Sequence, residues 1–345
     1  MNRVLIPLTM AQPPTIPADA HIAGLAGASM GTTWSVKLVL PAGIFAEQIQ
    51  SGVQQRLDQV VSQMSTWLDS SDLSRFNRAQ SGSWHVLPEE FFKVLDYACY
   101  VAQQSNGAYD PTVGPLVNLW GFGPDGPGSA CGDMPTAEDI SAALERKGWT
   151  RLRLDRLQRR AFQPGGIYVD LSSIAKGYGV DHVAEYLQQQ GVQSYLVEVG
   201  GELRGYGSKP DGDPWWVALE QPLPSAAEQA GDTAVPAFPP TIVALHELSI
   251  ATSGDYRRFF DIDGKRYAHT IDPRTGYPVP HALASVAVLH ASCMIADALA
   301  TALTVLGVEE GMQYARQHDI AALFVSRSEA GFEEKMSPAC KAMLE

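Results

Sequence analysis

The stretch MIADALATAL, residues 294–303, has the pattern of a helix with almost no solvated surface. Asp297 is the only formal charge between residues 292 and 308, and Thr301 and Thr304 share its side of the helix. The opposite side carries an aliphatic stripe at helical spacing, formed by Ile295, Leu299, Leu303 and Leu306. The sequence therefore predicts a helix with one side in the core and a carboxylate and two hydroxyls on the other.

Asp297 and Thr301 are one helical turn apart, so their oxygens converge. Hard divalent cations bind such oxygens, and Mg²⁺ completes its octahedron with phosphate and water. A structural interpretation is also available, in which Thr301 bonds back to the carbonyl of residue 297 and Asp297 accepts from a nearby backbone donor. On this helix alone, the structural interpretation is the commoner one.

Strand and helix patterns follow one another along the chain without strict alternation, which favours an α+β fold. Residues 32–40 alternate as a strand, residues 45–64 follow as an amphipathic helix, and Pro88 opens a second helix that ends at Asn106-Gly107. Further strands are expected at 194–199, 215–220, 241–250 and 320–326, and further helices at 173–190 and 309–318.

Composition divides the chain into an N-terminal segment and a domain that contains one insertion. Residues 1–28 predict a leader or flexible N-terminal segment, and residues 29–345 a single domain. Within that domain, the Pro/Ala-rich stretch 222–240 predicts a mobile insertion. The apolar run from Val4 to Ala11 is short and contains Pro7, so it does not make a convincing signal peptide.

Charge and cysteine content exclude several classes of function. The 345 residues carry a net charge of −13, which disfavours nonspecific nucleic-acid binding. A bound phosphate would therefore need a local metal, helix N-terminus or lysine. The four cysteines are widely separated, which argues against a zinc site or a disulfide framework.

The segment VDLSSIAKGYGVD, residues 169–181, offers such a local device. Strand-like residues end in Asp170, Ser172 and Ser173 can cap a helix, and Lys176 falls in its first turn. This combination suits a phosphate, although an ordinary capped helix with a solvated lysine has the same pattern.

The segment RYAHTIDPRTGYPV, residues 266–279, places His269 on a strand before an Asp-Pro-Arg-Thr-Gly turn. A neutral imidazole there could accept a proton from a hydroxyl, whereas a lone strand histidine is more often structural. Three glycine-containing segments, at 107–123, 200–205 and 250–256, could let a ligand approach the backbone or form plain bulges.

Taken together and in this order, these segments resemble the FAD:protein FMN transferases, the ApbE-type flavin transferases. The matching pieces span residues 30–307 and are MGTTWSVK, MSTWLDSSDLSRFN, GAYDPTVGPLVNLWGFG, DLSSIAKGYGVD, VEVGGELRGYG, IATSGDYRRF, HTIDPRTGYPV and ADALATALTVLG. The resemblance implies a single α+β domain of mixed and antiparallel sheets with packed helices and a cofactor cleft between subregions.

The resemblance also implies the reaction. Such enzymes bind FAD with Mg²⁺, cleave its pyrophosphate and attach FMN through a phosphoester to a Thr or Ser of a target flavoprotein. Targets carry an S/T-G-A-T-like motif and include subunits of membrane electron-transfer complexes. Family members are commonly exported, so a periplasmic or exported protein is expected, and the native form could be membrane-anchored at its N-terminus.

Carried over residue by residue, the resemblance implies metal ligands at Asp297, Thr301 and Ser173, the last through its backbone carbonyl. His269 is the expected catalytic base. FAD contacts are implied at Met30, Trp67, Ala108, Tyr109, Asp110, Asp170, Lys176 and Ile271.

Two other functions remain open at this point. An FAD pyrophosphatase, releasing FMN and AMP to water, needs the same metal and nucleotide site. A flavin-binding assembly factor without turnover would not need Asp297, Thr301 and His269 together.

Overall fold

The computed structural model of the chain describes residues 3–9, 12–16, 20–40, 43–125, 134–222, 239–255, 259–262, 265–280, 282–328 and 331–345. Most of the predicted insertion at 222–240 lies outside these ranges. The fold is α+β, as expected.

The strands in chain order are β1 (Arg3–Leu5), β2 (Ile22–Ser29), β3 (Thr32–Val39), β4 (Ser83–Val86), β5 (Arg153–Asp155), β6 (Arg160–Gln163), β7 (Tyr195–Val199), β8 (Glu202–Tyr206), β9 (Trp215–Ala218), β10 (Thr241–Leu245), β11 (Leu248–Gly254), β12 (Phe259–Ile262), β13 (Lys265–Ala268), β14 (Leu283–His290), β15 (Ala321–Ser328) and β16 (Gly331–Met336).

The helices are α1 (Ala46–Met64), α2 (Asp72–Asn77), α3 (Glu89–Gln104), α4 (Gly114–Leu119), α5 (Ala137–Glu145), α6 (Ala175–Gln189), α7 (Cys293–Gln317) and α8 (Pro338–Ala342), with a 3₁₀ turn at Trp149–Arg151.

The described chain forms two compact units. Unit 1 comprises residues 1–57, 176–256 and 282–345, and unit 2 comprises residues 58–175 and 257–281. The single domain over 29–345 stays a prediction.

Unit 1 is built on an eight-stranded antiparallel sheet with the order β16-β15-β14-β11-β8-β7-β3-β2. Helix α7 packs against β11 and β14 at its centre. Strand β14, LASVAVLH, is buried at seven consecutive positions, which explains its apolar rather than alternating sequence. A second sheet, β1-β10-β9, belongs to the same unit.

Residues 22–29, at the end of the predicted N-terminal segment, form a strand. Strand β2 pairs with β3 along its whole length, from Ile22 opposite Val39 to Ser29 opposite Thr32. Met30 and Gly31 both have positive φ, 52° and 70°, which fits the two-residue turns that join antiparallel strands. The Ala/Gly-rich β2 lacks a strong strand pattern, so its pairing with β3 decides its conformation.

The predicted helix that contains residues 294–303 and the predicted helix at 309–318 form one element, α7, with an internal break. Gly307 has φ 74° and ψ −174°, outside the helical region. The break separates the part that carries Asp297 from the part that ends at Gln317.

Unit 2 contains helices α2 to α5, the small sheet β4-β6-β5 and the hairpin β12–β13. A buried cluster joins α4, α5 and the turn after β13 through Leu116, Trp120, Ile140, Ala143 and Ile271. This cluster fixes the turn that follows His269.

Candidate functional site

Asp297 lies in the first turns of α7 and is only 6% exposed. The start of this helix is held by Asp181 of α6, whose carboxylate accepts from the Ser292 hydroxyl at 2.6 Å and from the amides of Cys293 and Met294 at 3.0 Å each. Asp181 therefore satisfies amide donors that the helix itself leaves unpaired.

The Asp297 carboxylate accepts one hydrogen bond, from the backbone N–H of Gly177 to Oδ2 at 2.9 Å. No donor to Oδ1 is found among the residues described. Burial raises the pKa of Asp297, while Lys176 and the Gly177 amide act in the opposite direction. A carboxylate that keeps one oxygen without a hydrogen-bond donor among the described residues is a ligand type that hard cations prefer.

Gly177 allows this contact because it has no side chain. A Cβ at position 177 would lie 2.3 Å from the carbonyl oxygen of Cys293 and 2.8 Å from Cβ of Asp297. The start of α6 therefore approaches α7 at a distance that glycine permits and alanine does not.

Lys176, the residue before Gly177, forms an ion pair with Glu202 of β8. The Lys176 side chain is 32% exposed and the Glu202 side chain 2%. Burial raises the pKa of Glu202 to about 7, with Lys176 opposing the rise and Asp297 adding to it. Unit 1 thus brings together two predicted site residues, Lys176 and Asp297, with a second buried carboxylate that the sequence analysis did not single out.

The two threonines of the predicted polar side differ. Thr304 is buried and its hydroxyl donates to the carbonyl of Ala300 at 2.8 Å, so this residue takes the structural role considered for Thr301. Thr301 is partly exposed, and no hydrogen bond of its hydroxyl is found within the described part of the chain. Asp297 Oδ1 and the Thr301 hydroxyl therefore have no hydrogen-bond partner among the described residues, whereas the Thr304 hydroxyl bonds to Ala300.

Met30 also belongs to unit 1. Its Cε would lie 2.8 Å from a Cβ at Gly179, so the Met30 side chain packs over α6 two residues after Gly177. Met30 is thereby placed near the start of the helix that carries Lys176.

Unit 2 holds most of the other predicted flavin contacts. Ala108, Tyr109 and Asp110 are buried, and the Ser173 hydroxyl donates to the Tyr109 hydroxyl at 3.1 Å. The backbone N–H of Asp170 donates to the carbonyl of Pro111 at 2.8 Å. The structure therefore brings the 108–111 and 170–173 segments together.

Two carboxylates in unit 2 organise its loops. Oδ1 of Asp110 accepts from the amide of Thr112 at 2.8 Å and from its hydroxyl at 2.6 Å, while burial raises the pKa of Asp110. Oδ1 of Asp170 accepts from the amide of Ser172 at 2.8 Å. Residues 164–171 are irregular, so the expected strand before Asp170 does not form.

Trp67 and Ile271 occupy opposite environments. Trp67 is 65% exposed, a large apolar surface for a loop residue, which suits stacking on a planar ring. Ile271 is 5% exposed and bridges to Pro278 across the turn. Ile271 thus stabilises the turn between residues 271 and 278 by packing in the buried cluster and by its backbone bridge.

His269 follows β13 and is partly exposed. Its ring forms a T-shaped contact with the ring of Phe122, with a centroid separation of 6.2 Å. The following turn is anchored by a 2.8 Å hydrogen bond from the Trp120 indole to the carbonyl of Gly276 and by the Asp272–Arg274 ion pair. The imidazole therefore lies just before a turn that these two contacts stabilise, called the braced turn below.

No group of three His, Cys, Asp or Glu side chains suited to a metal occurs among the described residues. The predicted ligand set has one carboxylate, one hydroxyl and one carbonyl, a set that leaves positions for phosphate and water and so fits Mg²⁺ rather than a soft metal. In the same part of the chain, no helix is both long and apolar enough to cross a membrane.

Sequence reasoning missed Glu202 and Asp181, which both pair with basic residues across elements. Both residues lie inside quoted motifs, but their partners are 26 and 23 residues away, so spacing alone gave no signal.

Comparisons with known proteins show the family to which this sequence is similar. The model of the ApbE family matches residues 30–324. The FAD:protein FMN transferase of Haemophilus influenzae is 40% identical over 336 residues, covering 95% of this chain and 93% of its own. That of Vibrio cholerae is 41% identical over 321 residues, with 93% and 92% covered.

Solved structures give the same relationship. The flavinyl transferase ApbE of Pseudomonas stutzeri superimposes with a TM-score of 0.83 at 40% identity, covering 94% of this chain and 97% of that one. The flavin transferase ApbE of V. cholerae gives 0.83 at 39% identity, covering 94% and 99%.

Proposed function

This chain belongs to the ApbE family, and we propose that it is an Mg²⁺-dependent FAD:protein FMN transferase. It would cleave FAD and attach FMN through a phosphoester to a Ser or Thr hydroxyl of a target protein. The observation that carries this proposal is the buried Asp297 carboxylate, held at Oδ2 by Gly177 and without a donor at Oδ1 among the described residues.

The metal set proposed is the Asp297 carboxylate, the Thr301 hydroxyl and the Ser173 carbonyl. When bound, Mg²⁺ would neutralise charge on the pyrophosphate as the bond to the AMP leaving group breaks. The protein has a net charge of −13, so such local positive charge is needed to hold a pyrophosphate.

The proposed FAD contacts include Lys176, at the start of α6, which would bind the pyrophosphate through its partly exposed ammonium. Trp67 would cover a planar ring, and Met30, Ala108, Tyr109, Asp110, Asp170 and Ile271 would shape the rest of the site. His269 would accept the proton of the acceptor hydroxyl as that hydroxyl attacks the FMN-side phosphorus of FAD, and AMP would leave with the electrons of the broken P–O bond.

The acceptor would carry an S/T-G-A-T-like motif, and subunits of membrane electron-transfer complexes are the proposed targets. The enzyme would accordingly work in the periplasm or another exported location, with anchoring of the native N-terminus to the membrane as one arrangement. The relatives' name, FAD:protein FMN transferase, supports a protein acceptor in general.

The direct assay uses a peptide with S-G-A-T, FAD and Mg²⁺, followed by peptide mass. We expect a mass gain of one FMN phosphoester, lost when the threonine is replaced by alanine or the metal is chelated. FMN and AMP released equally fast with and without peptide, and no modified peptide, would instead indicate an FAD pyrophosphatase. Bound FAD without either product would indicate an assembly factor.

A further inference from the structure

Glu202 and Asp297 are two buried carboxylates that share the influence of one lysine. Lys176 pairs directly with Glu202, and it attracts Asp297 through charge alone. Among the described residues, Asp297 forms no ion pair, and its single hydrogen bond comes from Gly177. Lys176 is therefore the direct counter-ion of Glu202, and Asp297 has no direct counter-ion among the described residues.

The backbone of Glu202 is positioned by the β7–β8 hairpin. It starts β8 opposite Val199 of β7, and the intervening turn is closed by a 2.8 Å hydrogen bond from the Gly201 amide to Glu198. Its Oε2 is buried and has no hydrogen-bond partner among the described residues, while its Oε1 pairs with the Lys176 ammonium, which compensates the charge of the carboxylate. An apolar side chain would be cheaper to bury at this position than an ion pair.

The metal site depends on which of the two carboxylates pairs with Lys176. The Gly177 amide contacts Asp297 and adjoins Lys176 in the chain, and the charge of Lys176 already acts on Asp297. We therefore expect a lysine released from Glu202 to turn toward Asp297. A lysine paired with Asp297 would occupy the oxygens and the charge that a divalent cation needs.

We propose that Glu202 is a positioning residue of the metal site: it holds the Lys176 ammonium and so keeps the Asp297 carboxylate free for a divalent cation. This inference rests on the proposed function for the metal role of Asp297. Glu202, which is not itself a proposed metal ligand, would control metal affinity by keeping Lys176 away from Asp297.

The test is a double-mutant cycle of the full chain with Lys176→Met, Glu202→Met and the double variant. Mn²⁺ binding to the protein without FAD is measured by the electron paramagnetic resonance of the free ion. We expect Glu202→Met alone to weaken binding about tenfold or more, and Lys176→Met to restore it in that background. Asp297→Asn identifies the binding that belongs to this site.

The coupling between the two changes decides the inference. If Lys176→Met strengthens binding by the same factor with and without Glu202, only the net charge matters and the proposal is overturned. The double variant replaces an ion pair by two apolar side chains of similar length, so its melting temperature shows whether the fold persists.

A metal-free crystal structure of Glu202→Gln or Glu202→Met gives an independent readout. The proposal requires Lys176 Nζ to move to the Asp297 carboxylate in at least the methionine variant; a lysine that turns to solvent overturns it. If the parent protein shows no Asp297-dependent Mn²⁺ binding, the metal role in the proposed function fails, and this structure still decides which carboxylate attracts the lysine.

Discussion

The backbone amide of Gly177 donates a 2.9 Å hydrogen bond to Oδ2 of Asp297, joining the start of α6 to the first turns of α7. Two motifs separated by 120 residues thereby form one site. The contact fixes one carboxylate oxygen, while the other has no donor among the described residues, and the close approach is possible because residue 177 lacks a side chain.

Gly177→Ala should therefore destabilise the protein and weaken metal binding. Its Cβ would meet the Cys293 carbonyl oxygen at 2.3 Å, and overpacking of this kind costs about 1–3 kcal/mol. Urea denaturation gives the loss of unfolding free energy, and Mn²⁺ binding gives the effect on Asp297.

Gly179→Ala is the matched control, because it lies in the same helix and its Cβ would meet the flexible end of Met30. We expect it to change unfolding free energy by less than about 1 kcal/mol. Equal stabilities for the two alanine variants would show that α6 and α7 can separate without cost at Gly177.

Ionisation of Glu202 should make the metal-free protein less stable as pH rises. Its pKa is about 7 in the folded protein, above the ordinary value of 4.5, so the folded state binds more protons than the unfolded state between these values. Stability from this group is thus greatest below about pH 4.5 and is lost as pH rises to about 7. Burial of Asp297 acts in the same direction.

The measurement compares Glu202→Gln with the parent by urea denaturation between pH 5 and pH 8 in chelator. The parent should lose stability relative to the variant as pH rises. The exposed Glu333, changed to Gln, controls for loss of one negative charge. A difference between parent and Glu202→Gln that is constant over this range would show that Glu202 is charged throughout.

His269→Ala should lower FMN transfer by about 10²–10⁴-fold with little change in FAD affinity, because a general base acts on the acceptor hydroxyl in the transition state. Single-turnover transfer and FAD titration separate the two quantities. His85→Ala, outside the proposed site, controls for loss of a histidine. Transfer at the parental rate would leave His269 a structural residue of the braced turn.

Local patterns predicted much of this molecule. The amphipathic spacing of α1 and α3 predicted both ends of each helix to within about two residues. This is possible because an amphipathic helix is defined by the apolar side that it packs against the core. The isolated charge in α7 marked Asp297. Strand β2 was missed because its Ala/Gly-rich sequence depends on pairing with β3.

Long-range partners account for what the site residues alone could not reveal. Nothing in the spacing of Lys176 indicates that β8 supplies its counter-ion, or that Asp181 holds the start of α7. Both pairings arise when strands and helices distant in sequence pack together, and a buried charge acquires its partner only there.

We propose above that the Asp297 carboxylate holds the cation that FMN transfer requires, and Asp297→Asn tests this role. Asn at this position keeps the size and one carbonyl oxygen, including an acceptor for Gly177, but removes the negative charge. Removing a buried charge should also preserve or raise stability without metal, which a melting curve in chelator records.

The decisive measurement is the mass of an S-G-A-T acceptor after incubation with FAD and the parent or Asp297→Asn protein over a series of Mg²⁺ concentrations. The account predicts FMN attachment by the parent, nearly none by folded Asp297→Asn at low Mg²⁺, and partial recovery at high Mg²⁺ as mass action refills the site. Parental transfer by Asp297→Asn at every Mg²⁺ concentration would contradict it and make this carboxylate structural.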